Sequence, residues 1–232
     1  MTEAGCTVHR LTSAKITSFF LLVNDGELTL IDTGNKDKIE NIRTQFDRMG
    51  HSLDQLKRII VTHCHPDHVG SLARLKQATG AEVLAHEDDA PVITHASRLP
   101  RPRRMGVGWV LHAVTSPLAQ PERCQVDRTL KDGESIEGTG LTAIHVPGHS
   151  PGSICLYHPA ARVLFSGDAL VNWFGRMRGP VRAFSWDIQR AHRSLAKLLA
   201  LDVQTIYFAH GEPIVAGGKE KIRSLVDRLT VV

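Results

Sequence analysis

Three histidines and one aspartate fall within six positions of this chain, between residues 63 and 68. They are His63, His65, Asp67 and His68. The first two are two residues apart, so in an extended segment their imidazoles project to the same side. Pro66 cannot continue a strand ladder, which indicates that the chain turns before the aspartate. Imidazole and carboxylate are the usual ligands of zinc and similar metals, so this stretch predicts a metal site.

Three more residues of ligand type lie later in the chain, each shortly after an apolar, strand-like segment. They are His149, Asp168 and His210. Strand ends along one sheet edge can bring side chains together at one spot. The glycines at 148, 167 and 211 permit close backbone approach there. Seven ligands are too many for one four-coordinate zinc, so the set suits two metals that share one carboxylate.

The segments that would position these residues alternate between strands and helices up to residue 85. The predicted elements are strands at 16–23, 27–31, 58–62 and 81–85, a helix from Ile39 to Met49, and a helix from about Val69 that carries Leu72 and Leu75. After residue 126 the predicted elements are strands at 126–129, 134–137, 141–146, 153–157 and 162–166, an irregular stretch, a helix from about Asp187, a strand at 203–208 and a closing helix. The close spacing of these later strands favours antiparallel pairing.

This pattern predicts an α/β fold with sheets inside and helices outside, in a single domain that covers residues 1–232. The region from about 87 to 125 breaks the rhythm, since it holds five of the eleven prolines and a cluster of arginines. We interpret it as an insertion, partly helical, that forms a lid or a contact in a homodimer.

Composition and charge argue against several classes of protein. The chain is 42% hydrophobic and 22% charged, and no apolar run approaches the roughly 18 residues of a spanning helix, so no membrane association is expected. The four cysteines form no CxxC pair and the amino terminus lacks a secretory pattern, so we expect a reduced, cytoplasmic protein. The net charge is only +4, and the basic clusters at 98–104 and 176–182 are not interleaved with aromatic residues, so no nucleic-acid partner is expected.

The stretch from 63 to 68 matches the HxHxDH motif of the metallo-β-lactamase fold superfamily, and four other motifs match in the same order. These are Asp32-Thr33-Gly34, Pro147-Gly148-His149, Gly167-Asp168 and His210-Gly211. The chain resembles this family over nearly its whole length. The resemblance implies an αββα sandwich of two mostly antiparallel or mixed sheets with outer helices, which agrees with the pattern of strands and helices.

The resemblance also implies a role for each candidate ligand. His63, His65 and His149 would hold one metal, Asp67, His68 and His210 would hold a second, and Asp168 would bridge the two. Asp32 resembles the acid that supports such a site from behind. The cofactors would be two divalent ions, with Zn²⁺ as the first expectation and Mn²⁺ or iron also accommodated by oxygen and imidazole. His145 would line the pocket if the turn after it is regular.

Two cations on either side of one water would lower the pKa of that water towards neutrality and hold a bridging hydroxide for attack. We therefore expect a dinuclear metal-dependent hydrolase of an ester, thioester or lactone bond, in which Asp67 also orients the nucleophile. One alternative is a mononuclear iron sulfur (persulfide) dioxygenase of the same fold, and another is a binding module without catalysis. The chain resembles the glyoxalase II-like group, but no subfamily matches cleanly: lactonases of the fold place a tyrosine where this chain has Val171.

The substrate is less well specified by the sequence than the metal site. Arg176 and Arg178 closely follow Asp168, and the 87–125 insertion carries Trp109, which would fold over the site. These residues predict a cleft with an apolar wall and a cationic rim. We therefore expect a small-molecule acyl substrate that bears a carboxylate or a phosphate.

Overall fold

A computed structural model describes residues 2–3, 5–13, 16–37, 39–95, 97–98 and 121–230. Most of the predicted insertion, including Trp109, lies outside the described residues. The part of the insertion that is described includes one short helix, in accord with the prediction that this region is partly helical. The lid, the homodimer contact and the single-domain organisation remain predictions.

The first sheet has seven strands in sequence order. They are β1 Thr2–Glu3, β2 Cys6–Ser13, β3 Thr17–Asn24, β4 Glu27–Ile31, β5 Leu56–Val61, β6 Glu82–His86 and β7 Arg128–Leu130. Strands β1 to β4 pair antiparallel, and β4 to β7 pair parallel. The sheet is therefore mixed. In its parallel half, β5 and β6 end at the same edge of the sheet. The residues that follow these two strands therefore lie close together.

The second sheet has five strands in the order β14-β11-β10-β9-β8. They are β8 Ser135–Ile136, β9 Leu141–His145, β10 Ile154–His158, β11 Val163–Phe165 and β14 Thr205–Tyr207. The predicted antiparallel pairing holds from β8 to β11, and β14 pairs parallel to β11. Both β11 and β14 thus end at one edge of this sheet.

The prediction of an irregular stretch after Asp168 is wrong, because this stretch begins with a two-stranded ribbon. Strand β12 covers Val171–Trp173 and pairs antiparallel with β13, Arg176–Arg178. The two residues between them, Phe174 and Gly175, both have positive φ, at 52° and 72°. Two positive-φ residues are the mark of a tight hairpin turn whose twist matches the strands. The prediction failed because phenylalanine at the first turn position carries no turn signal.

The helices lie on the outer faces of the two sheets. They are α1 Ile39–Arg48, α2 Pro66–Val69, α3 Leu72–Thr79, α4 Ala90–Ile93, α5 Ile188–Ser194 and α6 Gly218–Thr230, with 3₁₀ turns at Leu53–Gln55, Arg182–Phe184 and Leu195–Ala200. Pro66 occupies the first turn of α2, where the absence of its N–H costs no hydrogen bond. The predicted turn after His65 is therefore the start of a helix.

Three buried clusters of apolar side chains fill the spaces between these layers. One cluster joins the first sheet to α1 and α3, the second lies between the sheets, and the third joins the second sheet to the 3₁₀ turn Leu195–Ala200 and to α6. Strand β3 contributes to two of them, since Phe19 and Leu21 belong to the first cluster and Phe20 and Leu22 to the second. Alternate side chains of a strand point to opposite faces, so a strand buried on both sides must be apolar throughout. The order of layers is helix, sheet, sheet, helix, which confirms the predicted αββα sandwich.

Within the described part of the chain, no helix combines the length and the hydrophobicity that crossing a membrane requires.

Candidate metal centre

The candidate ligands lie where strands of both sheets end. The 63–68 stretch follows β5, Asp168 follows β11, and His210 follows β14. The amide of Ile154 donates to the carbonyl of Thr62 at 2.9 Å, so the start of β10 is fastened to the loop that carries the first ligands. Residues far apart in sequence therefore converge on one place between the two sheets.

Two glycines allow this convergence by letting backbones touch. A Cβ on Gly148 would lie 2.1 Å from the amide nitrogen of Ala191, and a Cβ on Gly211 would lie 1.9 Å from the carbonyl oxygen of Asn172. Both glycines also have positive φ, at 137° and 116°. Each glycine precedes or follows a candidate ligand, so the histidines at 149 and 210 are placed by backbone packing that no larger residue permits.

His63, His65 and His149 form the first group of candidate ligands. Each residue offers a ligand atom, and these atoms lie within 4.8 Å of one another. The ring centroids are 4.5 to 4.7 Å apart, and the ring planes stand at 77° to 79° to each other. Rings at steep angles can direct one nitrogen each to a common point, as the ligands of one metal must.

Asp67, His68 and His210 form a second group, whose ligand atoms also lie within 4.8 Å of one another. Asp168 stands between the groups. One of its oxygens, Oδ2, is 3.4 Å from Nε2 of His149, and the other, Oδ1, is 3.3 Å from Nε2 of His68 and 3.4 Å from Nε2 of His210. The structure thus brings all seven predicted residues together, and His63, His68 and Asp168 also form a group of this kind that overlaps the other two. Their roles as ligands remain a proposal.

The histidines are oriented by hydrogen bonds from the ring nitrogen that faces away from the centre. Asp32 is buried, and its Oδ2 lies 2.8 Å from Nδ1 of His68. The same carboxylate accepts from the amide and the hydroxyl of Thr62, both at 2.7 Å. Because that hydroxyl hydrogen points to Asp32, the Thr62 oxygen accepts from Nδ1 of His63 at 3.2 Å. Both imidazoles then carry their proton on Nδ1 and turn Nε2 inward.

His149 and His210 are held in the same way by other partners. The hydroxyl of Ser185 donates to the carbonyl of Val181 at 2.8 Å, so its oxygen accepts from Nδ1 of His149 at 3.3 Å. Nδ1 of His210 donates to the carbonyl of Ile16 at 3.2 Å, since a carbonyl only accepts. Four imidazoles from three segments of the chain therefore turn Nε2 towards the same space, and in neutral imidazole this nitrogen carries the lone pair that binds metal.

The inward atoms lack other partners. Among the described residues, Nε2 of His63, His68 and His149 and Oδ1 of Asp168 are buried and form no hydrogen bond. The Asp168 oxygen is near two imidazoles, but the contacts do not have hydrogen-bond geometry. A buried polar atom without a partner costs about 1–3 kcal/mol, so four such atoms in one place are a strong indication of an absent ligand. Divalent cations fit this donor set of imidazoles and carboxylates.

Burial and mutual charge keep two histidines of the first group neutral. Burial lowers the pKa of His63 well below its ordinary value, and the neighbouring His68 and His149 lower it further. Burial, together with the charge of His65, lowers the pKa of His149 to about 3. Neutral imidazole is the form that binds metal, so these side chains need not lose a proton when a metal enters.

The second group contains opposite charges in contact. Burial would raise the pKa of Asp67, but His68 and His210 lower it to about 2. The pKa of Asp168 responds in the same way. Burial would raise it, but His68 and His210 hold it well below the ordinary value. Burial would lower the pKa of His210, but Asp168 and Asp67 raise it to about 10. The carboxylates are therefore ionised and ready to bind a cation.

Asp89 is a functional residue that the sequence did not reveal. It is buried, and its carboxylate accepts from the amide of Cys64 at 2.9 Å, the hydroxyl of Ser150 at 2.6 Å and the amide of Gly152 at 2.7 Å. These donors belong to the two loops that carry the first group of candidate ligands. Asp89 therefore fixes the distance between those loops. Its position at the start of the predicted insertion gave no sign of this contact.

His145 does not join the seven residues. Its ring stacks on His86 with centroids 3.8 Å apart, and the carboxylate of Asp88 lies 3.9 Å from its Nε2. These three residues form a separate group of ligand type. The two ring planes are inclined by only 20°, so one metal cannot lie in both planes, as the in-plane lone pairs would require. Nε2 of His145 instead donates to the carbonyl of Pro151 at 2.9 Å.

Arg176 and Arg178 lie on β13 and line a cleft beside α6. None of the seven candidate ligands lines that cleft. The predicted position of these arginines on the rim of the metal centre stays a prediction. The third predicted substrate contact, Trp109, falls in the part of the chain that the structure leaves undescribed.

Comparisons with known proteins point to one family. Residues 13–210 match the family Lactamase_B, the metallo-beta-lactamase superfamily. The probable metallo-hydrolase YflN of Bacillus subtilis (strain 168) is 27% identical over 99% of this chain and 94% of that protein. Hydroxyacylglutathione hydrolase of Pseudomonas aeruginosa (strain LESB58) is 36% identical over 67% of this chain, which spans only 48% of that enzyme.

A crystal structure of the protein TTHA1623 in a di-iron-bound form has the same fold, with a TM-score of 0.69 and 28% identity over 90% of this chain and 94% of that one. The family match covers most of the chain, and it includes the seven converging residues. The predicted family and the predicted class of enzyme are therefore confirmed. The chain belongs to the metallo-beta-lactamase superfamily and is a metal-dependent hydrolase.

Proposed function

We propose that the chain is a dinuclear hydrolase that cleaves an ester, thioester or lactone bond of a small acyl substrate. The observation that carries this proposal is the set of four buried, unpartnered inward atoms on His63, His68, His149 and Asp168. His63 and His149 belong to one group of three ligand-type residues, His68 belongs to another, and the carboxylate of Asp168 faces both groups. One metal would leave part of this set unsatisfied, whereas two metals would use all of it.

We propose that His63, His65 and His149 hold one ion, that Asp67, His68 and His210 hold the other, and that Asp168 binds both. Two divalent ions bound there would acidify a water and polarise a carbonyl oxygen. Oδ2 of Asp67 is 3.1 Å from Nε2 of His210, so this side chain is fixed at the exposed side of the second group. From that position Asp67 accepts a proton or orients an attacking water. Asp32 supports the group from behind by holding His68.

The substrate class is supported by the relatives. Hydroxyacylglutathione hydrolase acts, by its name, on an acyl derivative of glutathione. This chain is 36% identical to that enzyme over 67% of its own length, but it spans only about half of the enzyme's length. We therefore propose the same bond class, an activated acyl bond, without the same substrate. Zinc remains our first expectation for the metal, although the di-iron form of a structural neighbour makes iron the principal competitor.

The test is elemental analysis of the purified protein, followed by an assay of acyl ester and thioester hydrolysis with the metal that is found. We expect about two metal ions per chain. The Asp168→Ala protein should lose both metal content and hydrolysis, because its carboxylate faces both groups. Asp227→Ala, an exposed acid on α6, is the matched control and should behave as the unchanged protein.

Two results would overturn the proposal. Full activity and full metal content in Asp168→Ala would remove the bridging role. One iron per chain, with oxygen uptake on a persulfide substrate, would assign the protein to the mononuclear dioxygenases of this fold instead.

A further inference from the structure

The cleft beside the closing helix is lined by several cationic side chains. It has a volume of about 940 Å³ and lies between β13, the loop at 179–182 and α6. Its cationic lining residues are Arg176, Arg178, Arg182, Lys221 and Arg228, with His192 beside them. Glu220 is the single acidic residue among those that line it. A cleft of this size suits a ligand of nucleotide dimensions.

The cations of this cleft are not neutralised by the protein. Among the described residues, Arg176, Arg178, Arg182 and Lys221 form no ion pair or side-chain hydrogen bond, and Arg228 donates only to the hydroxyl of Ser224. Of the twelve other arginines that the structure describes, six have a carboxylate partner, among them Arg10, Arg43 and Arg162. Clustered like charges repel each other and destabilise the fold, so an unpaired cluster in a concave site indicates an anionic ligand.

One wall of the cleft also carries a flat aromatic surface. Trp173, at the end of β12, lines the cleft and keeps 42% of its surface exposed. The buried Met177 and the half-buried Leu229 add apolar area to the lining. A large indole exposed beside arginines can stack on a planar base, while the guanidinium groups bind phosphate in the bidentate manner that favours Arg over Lys.

The cleft is joined to the metal centre through the backbone. In β12, the amide of Asn172 donates to the carbonyl of His210 at 2.9 Å. On the other side, the carbonyl of Val181, which lines the cleft, accepts from the Ser185 hydroxyl that holds His149. Both walls of the cleft therefore continue into residues that orient candidate ligands.

We propose that this cleft binds an organic diphosphate that carries a planar base, that is, a nucleoside-diphosphate group. The phosphates lie on Arg178, Arg182 and Arg228, and the base lies on Trp173. The proposal that the cleft binds this group depends only on the cleft and not on the proposed function. Its role, as the part of an acyl substrate that leaves when the acyl bond is cleaved, rests on the proposed function.

The test is calorimetric titration of the full-length, metal-loaded protein with ADP and, separately, with inorganic pyrophosphate. We expect the Arg178→Ala, Arg182→Ala double variant to bind both probes at least tenfold more weakly. Trp173→Ala should weaken ADP binding and leave pyrophosphate binding unchanged. Arg223→Ala is the matched control, since this arginine is exposed on the same helix and does not line the cleft.

The metal centre itself could bind phosphate, so Asp168→Ala is titrated as well. It should keep ADP binding while it loses hydrolysis, which separates this proposal from the proposed function. The absence of saturable ADP binding at millimolar concentration would overturn the inference. So would equal dissociation constants for the double variant and the unchanged protein, or loss of ADP binding in Asp168→Ala alone.

Discussion

Replacing Asp89 by asparagine should separate the two loops of the first ligand group while keeping the shape of the side chain. The carboxylate accepts three hydrogen bonds, from the amides of Cys64 and Gly152 and from the hydroxyl of Ser150. The bond from Gly152 goes to Oδ1, and the bonds from Cys64 and Ser150 go to Oδ2. An amide group can replace one oxygen only. In Asp89→Asn, an NH₂ group would therefore face either one backbone N–H or the other.

The magnitude follows from these contacts. A hydrogen bond to a charged group contributes about 1.5–3 kcal/mol, and the variant loses at least one of the three bonds and weakens those that remain. Removing a buried charge has the opposite, stabilising effect. Burial raises the pKa of Asp89, and the hydrogen bonds from Ser150, Gly152 and Cys64 only partly offset this rise. We therefore expect the free energy of unfolding to fall by about 2–3 kcal/mol.

The assay is urea unfolding of the metal-free protein, together with metal affinity by competition with a chelator. Because the loops of His63 and His149 lose their common tie, metal affinity should fall by about 10- to 100-fold. Asp88→Asn is the matched control: its side chain is about half exposed, and a change of about 0.5 kcal/mol or less is expected. An Asp89→Asn protein with the stability and metal affinity of the unchanged protein would refute the positioning role.

Three other changes test separate parts of the structure. Gly211→Ala should prevent metal binding at the second group, because its Cβ would lie 1.9 Å from the carbonyl oxygen of Asn172. The control is Gly133→Ala, at a glycine with positive φ and open space around it, and this variant should bind metal normally. Elemental analysis measures both. Chelation of the metals should lower the melting temperature, since metal at 100 times its Kd stabilises by about 2.7 kcal/mol, and a melting temperature unmoved by chelator would contradict the fit of the buried imidazoles. Burial lowers the pKa of His158 below its ordinary 6.5, so the unfolded chain takes up this proton more readily and stability is lost as the pH falls through 6.5. His158→Gln should therefore cost less stability at pH 5 than at pH 7, as thermal melts at the two pH values would show, and an equal cost at both would remove His158 from the acid response.

The ligand set could be predicted from the sequence because each member follows a strand. An apolar run that stops at a histidine or aspartate places that side chain at a sheet edge, whatever the length of the intervening chain. This holds for Asp168 after β11 and for His210 after β14, although 42 residues separate them. The strand ends are local features of the sequence, so the convergence could be inferred before any contact was known.

The contacts that orient the ligands could not be predicted in this way. Ser185 holds His149 across 36 positions, and the carbonyl of Ile16 holds His210 across 194. A serine hydroxyl and a backbone carbonyl have no distinguishing sequence pattern, since every chain contains many of them. The same reason hid Asp89, whose partners are two amides and a hydroxyl. Residues that act through their own chemistry are visible in a sequence, whereas residues that act by position are visible only in the fold.

Asp32 lies between these two cases. It was predicted as a supporting acid because its Asp-Thr-Gly motif resembles that of the family, but its backbone conformation was not foreseen. Its φ is 61°, in the left-handed region that costs most residues about 1–2 kcal/mol and that aspartate tolerates better than most. That conformation lets one carboxylate accept from the Thr62 amide, the Thr62 hydroxyl and His68 at once. A glycine would adopt this φ without strain, but it would leave three buried donors unpaired, so the strained aspartate is the better residue for this position.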